Sequence, residues 1–207
     1  DVERANEVLA DALKTAGTVA GESRLKIVKC NLKRLDQMTE VMQGVNQVMW
    51  CATAFGTRGS SGPFRLFRIA KFWFSSKLGR VLDIRGPQRI AELLKDQAPP
   101  ALSKDPTIST MFRDNKLGPP GTVPRIVILS SAAVTRPSWS EEKKAEFPEA
   151  AEIPIVKLNP LNILGTKLRA ENNVRNSGIP YTVVRSCGIS SEQEPGEFMI
   201  SSGDTAV

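Results

Sequence analysis

The sequence predicts an α/β domain built on a parallel sheet with helices on both faces. Two observations predict it. Runs rich in β-branched residues alternate with segments of helical period, and the junctions between them are short and polar. Consecutive parallel strands need a crossover helix, so this alternation defines the architecture. With 207 residues and 41% hydrophobic content, the chain has enough material for one such domain and its core.

The elements follow in order. Apolar Val2, Ala5, Val8, Leu9, Ala12 and Leu13 recur at helical spacing, which predicts a helix over 2–14. "RLKIVKCNL" (24–32) alternates and is β-branched, the pattern of a strand, and Asn31 stands at its carboxyl end. "RLDQMTEVMQG" reads as a short helix stopped by Gly44. "VNQVMWCATA" is more continuously apolar, as a strand buried on both sides would be. "RVLDIRGPQRIAELLKDQ" contains a helix broken or begun near Gly86 and Pro87. Residues 97–124 hold six prolines and little periodicity and read as a loop. "RIVILSSAAV" is a third clear strand, and residues 138–158 are charged and irregular. "NILGTKLRAENNVRNSG" is a helix with Gly178 past its end, and "IPYTVVRS" is a fourth strand.

Composition excludes several chemistries. The chain contains no histidine, so it holds no Ser-His-Asp or Cys-His machinery and no histidine metal site. Cys30, Cys51 and Cys187 are widely separated and odd in number, which argues against a disulfide framework and for a reducing compartment. No run of eighteen apolar residues is present. The net charge of +6 has a local origin. Residues 56–80 carry six bases (Arg58, Arg65, Arg68, Lys71, Lys77, Arg80) and no acid, and the remainder balances at 22 basic against 22 acidic residues.

In parallel sheets, ligands sit at the carboxyl ends of the strands. Those ends are Asn31-Leu32, Cys51-Ala52-Thr53-Ala54, Ser130-Ser131 and Arg185-Ser186-Cys187. Their small or polar residues let a ligand approach the backbone closely.

Four segments together resemble the NAD(P)-binding atypical short-chain dehydrogenases, close to NmrA-like proteins and their chloroplast relatives. "VKCNLKRLDQMTEVMQGVNQVMWCATA" resembles the family's third strand, helix and fourth strand, and "VLDIRGPQRIAELLK" its Asp-x-x-Gly helix through Asp83 and Gly86. "VPRIVILSSAAVTRP" resembles the fifth strand with its terminal serines, and "KLRAENNVRNSGIPYTVVRSCGI" the lysine helix and sixth strand. These cover about two-thirds of the chain. The resemblance implies a Rossmann-like fold with NAD(P) as cofactor, and a chloroplast location; otherwise the expectation is cytoplasmic. It also implies that residues 1–207 are part of such a domain, lacking the first two strands and the glycine-rich turn, because no Gly-x-x-Gly-x-x-Gly triplet precedes Asn31. "SSGDTAV" similarly resembles the lead-in to a further segment. The complete parent is then expected to bind the dinucleotide, and residues 1–207 alone to bind it weakly or not at all.

Lys167 resembles the family lysine that hydrogen-bonds the nicotinamide ribose; its alternative is a solvated helix lysine beside Arg169 and Arg175. The family tyrosine four residues earlier is Ile163 here, and the chain's sole tyrosine, Tyr181, lies inside a strand. An aliphatic side chain donates no proton, so no catalytic residue is assigned. The expectation is a non-catalytic or regulatory scaffold in chloroplast complex assembly; the alternative is an NADPH-dependent oxidoreductase using Lys167 and Ser131. Ser130 and Ser131 resemble the substrate-orienting serine or hydrogen-bond the local turn. Asn31 stands where relatives touch adenine, or forms a turn. Residues 51–54 form a floor beneath the cofactor or a packed strand end, and Cys187 is expected to behave as a small buried hydrophobe.

The segment 56–80 interleaves Phe64, Phe67, Phe72, Trp73 and Phe74 with Arg65, Arg68 and Lys71. Residues 64–74 predict a helix with an apolar face, suited to a lid over the cleft, a protein partner, an anionic membrane surface or, less well, RNA.

Overall fold

A computed structural model describes residues 2–15, 17–19, 22–23, 25–53, 64–97 and 124–187. Ala54, most of the proline-rich stretch and the first part of the basic segment lie outside these. The chain divides into two compact units, Asp1–Gln43 and Gly44–Val207.

In the first unit the expected amino-terminal helix forms as two pieces, α1 (Val2–Val8) and α2 (Ala10–Thr15), meeting at Leu9. Neither buries a residue fully. A ribbon not foreseen from sequence follows, β1 (Thr18–Val19) antiparallel to β2 (Glu22–Ser23). The strand expected at 24–32 does not form: residues 25–31 have no ladder. Alternation and β-branching supply propensity, but a strand exists only where another edge takes its N–H and C=O groups. The short helix is present as α3 (Leu35–Met42), with Met38 and Met42 buried.

The second unit holds an open, all-parallel sheet of three strands in the order β3 (Gln47–Trp50), β4 (Arg125–Ser131), β5 (Tyr181–Ser186). Register pairs Trp50 with Ile128 and Ser130 with Arg185. Two long helices, α5 (Leu82–Asp96) and α9 (Ile163–Arg175), pack on β4 and on each other, and so cover one face. Trp50, Ile126, Ile128 and Ser130 point into that layer and are buried. On the opposite face Met49 and Val184 are exposed and Val127 and Leu129 half-buried. Helices on both faces were expected; among the described residues only one face is clothed.

Gly86 and Pro87 do not interrupt α5, which runs unbroken through both. Pro87 sits in its second turn, where the missing N–H costs only the bond to the Asp83 carbonyl. A Cβ on Gly86 would lie 2.2 Å from the Trp50 ring, so the glycine lets α5 settle directly on β3. The stretch 138–158, read as irregular, is a chain of short helices: α6 (Glu141–Glu146), α7 (Pro148–Ala151) and α8 (Pro154–Leu158). Ser140 caps α6 by accepting the Lys143 N–H, and prolines open α7 and α8. They gather around buried Trp139, whose ring receives Lys143 at 4.4 Å. Such brief helices carry too little periodicity to be read from sequence.

The helix expected over 64–74 is α4 (Phe64–Lys77), stopped by Gly79 at a φ of +65°. It is pinned to α9 by a buried hydroxyl pair, Ser76 to Thr166 at 2.8 Å.

Candidate functional site

The carboxyl ends of β3 and β4 open into one small cavity. The sheet contributes Trp50, Ala52 and Ser130, α5 contributes Asp83 and Pro87, and α9 contributes Lys167 and Ala170. Its volume of about 20 Å³ admits roughly one water molecule.

Ser130 is the distinctive group. It is only 6% exposed, and its hydroxyl has no hydrogen-bond partner among the described residues. An unsatisfied buried hydroxyl costs on the order of 1–3 kcal/mol, and this one faces the cavity. Across the cavity, buried Asp83 accepts a 2.5 Å hydrogen bond from the Thr53 hydroxyl, which ties the loop after β3 to the start of α5. Lys167 stands half-buried at the wall.

The position of Lys167 is set by an unusual turn. Asn159, Leu161 and Asn162 all have positive φ, at 29°, 58° and 57°. Each such residue costs on the order of 1–3 kcal/mol and persists only where its surroundings fix it. Here the Asn159 side-chain oxygen accepts the Leu164 N–H at 3.1 Å, and the Asn162 carbonyl accepts the Thr166 hydroxyl at 3.0 Å. The first turn of α9 is thereby clamped, and Lys167 follows Thr166 directly.

Of the residues singled out from sequence, Ala52, Ser130 and Lys167 line the cavity and Thr53 joins through Asp83. Others do not. Ser131 was paired with Lys167 in the oxidoreductase alternative, but the pleat sends successive side chains to opposite faces. The Ser131 hydroxyl instead accepts the Ala133 N–H at 3.3 Å in the turn after β4. Arg185 is committed to Glu171 on α9 through two hydrogen bonds. Ser186 donates a long hydrogen bond, 3.4 Å, to the Ser130 carbonyl. Cys51 is exposed, and so is Cys187, which was expected to be buried but follows the last paired residue of β5. Asn31 and Leu32 belong to the first unit, where the Asn31 side chain accepts the Lys33 N–H at 3.1 Å as a turn former.

The chain's sole tyrosine does not stand in for the missing one near Lys167. Ile163 lies one turn earlier on the same side of α9. Tyr181 pairs with Ile126 at the start of its strand, four residues and roughly 13 Å from the level of Ser130. Among the described residues no cluster of three His, Cys, Asp or Glu side chains could hold a metal. The Ser130 hydroxyl and the Lys167 ammonium group on one cavity can hydrogen-bond a small hydroxylated or anionic group.

Sequence reasoning missed Trp50, Asp83 and Pro87 as cavity walls. It also missed a Gly-x-x-Gly-x-x-Gly triplet formed by Gly56, Gly59 and Gly62, between β3 and α4. The triplet lies outside the described residues. No protein-family model, curated protein or solved structure matches the chain.

Proposed function

We propose that this chain is part of a Rossmann-like NAD(P)-binding module that holds the dinucleotide as a structural or regulatory ligand. The observation that carries the reading is the buried Ser130 hydroxyl, unpartnered among the described residues and facing the cavity that Lys167 lines. A ribose offers hydroxyls that both donate and accept, which suits an orphan serine beside an ammonium group. The strand order supports the same reading. In the doubly wound order 3-2-1-4-5-6, the last three strands are consecutive neighbours, as β3, β4 and β5 are. In that order strand 3 is separated from strand 4 by strands 2 and 1, which fits residues 25–31 having no ladder among the described residues.

Ile163 in place of an acid argues for binding without turnover. On this reading the protein acts as a scaffold, for which the resemblance suggests assembly of a chloroplast complex. Saturation-transfer NMR with NADPH tests the binding. The expected result is weak association, weaker than micromolar, in which nicotinamide-ribose protons receive more saturation than adenine protons. Lys167→Ala and Ser130→Ala both reduce that signal, while Ser130→Ala leaves the unfolding free energy within about 1 kcal/mol of the parent value. Uniform saturation unaffected by either substitution would overturn the assignment. NADPH oxidation with carbonyl or quinone substrates, abolished by Lys167→Ala, would establish the oxidoreductase instead.

A further inference from the structure

Helix α4 has two sides with opposite fates. At 100° per residue, Phe67, Ala70, Lys71, Phe74 and Leu78 fall in one arc, with Trp73 and Lys77 along its flank. Every one of these is exposed; Phe67 is 69% and Phe74 61% accessible. The other side carries half-buried Phe72 and Ser75 and buried Ser76. It is fixed by the Ser76–Thr166 hydrogen bond and by the Arg169 guanidinium lying against Gly79. The helix is thus anchored by its polar side and presents aromatic side chains to water, the reverse of a helix that lids its own domain. A lid burying these aromatics was among the expectations and is not what the described residues form.

We infer that α4 docks the protein on an anionic membrane surface. Charge complementarity selects this occupant. Residues 56–80 carry no acid, and the two bases described on this side of α4, Lys71 in the arc and Lys77 on its flank, set positive charge beside the exposed aromatics. Lys71 has a long stem that can lie along apolar surface while its ammonium group reaches headgroup phosphates. Trp73 sits at the border of the arc, the position aromatic amphiphiles occupy at a bilayer interface. With 14 residues the helix is about 21 Å long, too short to cross a hydrocarbon core of about 30 Å, so it lies in the interface plane. Single-stranded RNA fits less well. Base stacking needs open aromatic faces, and Lys77 already covers the Trp73 ring at 3.7 Å.

Flotation of the full chain with vesicles tests the assignment. Association is expected with phosphatidylcholine vesicles containing phosphatidylglycerol and not with phosphatidylcholine alone. Trp50 and Trp139 are buried, so Trp73 reports insertion, and brominated acyl chains should quench it. Phe67→Ser with Phe74→Ser should abolish quenching, and Lys71→Glu with Lys77→Glu should weaken association roughly tenfold or more. All four substitutions fall on exposed positions, and unchanged circular dichroism and urea midpoints establish that the fold is retained. Equal flotation with neutral vesicles, or association insensitive to both double variants, overturns the proposal. So does binding to single-stranded RNA without binding to anionic vesicles.

Discussion

The guanidinium of Arg185 on β5 grips the carboxylate of Glu171 on α9 with two hydrogen bonds, 3.1 Å to Oε1 and 2.8 Å to Oε2. Glu171 has no exposed surface, and Arg175 adds a third hydrogen bond from one turn along the helix. This pair welds the lysine helix to the edge strand. Removing one partner of a buried pair strands the other charge, so Glu171→Ala should destabilise the protein by about 3 kcal/mol or more. Replacing both members with apolar residues, Glu171→Leu with Arg185→Met, should recover most of that loss. Urea unfolding of the single and double variants measures both.

Gly86 and Trp50 form a second tight relationship. The Cβ of Gly86→Ala would meet ring carbons at 2.2 and 2.3 Å, and the ring is itself buried. Helix propensity favours alanine by about 1 kcal/mol, but overpacking at a buried ring costs roughly 1–3 kcal/mol and wins. Gly86→Ala should therefore lower stability in the parent. On a Trp50→Leu background the same substitution should be neutral or stabilising. A double-mutant cycle by denaturant unfolding reads the sign reversal directly.

Asp36 supplies a pH prediction. The Arg34 guanidinium bonds its carboxyl, at 2.6 Å to Oδ2 and 3.2 Å to Oδ1, and holds it below the usual carboxylate range. A carboxyl depressed in the folded state contributes stability above its unfolded pKa and loses it as pH falls through the folded value. The contribution is thus present at neutral pH and vanishes in acid; with both groups exposed it is also small and salt-sensitive. Carbon-detected NMR titration should place the Asp36 midpoint below the ordinary range and show Arg34→Gln moving it upward.

Much of the second unit could be read from the chain. The run at 125–131 is β-branched enough to announce a strand, and the helix at 163–175 announces itself by Gly178 past its end, whereas the helix at 82–96 was legible only in part because Gly86 and Pro87 suggested a break. Residues 25–31 misled because propensity is local and a ladder is not. The choice between Ser130 and Ser131 depends on the parity of a strand against its helices, which no single segment reveals. Likewise Trp50 and Asp83 became cavity walls only once the glycine had let α5 cross β3 at close range. Ala52 was accessible to sequence reasoning because strand ends locate it without a register, and Lys167 was singled out through the resemblance of its helix.

The Ser76–Thr166 hydrogen bond ends one peptide unit from Lys167, and α4 also packs on the strained turn at 160–162. A surface that captures α4 therefore grips the same clamp that sets the cavity wall. Linkage then requires reciprocity: whatever factor attachment imposes on occupancy of the cavity, occupancy imposes on attachment.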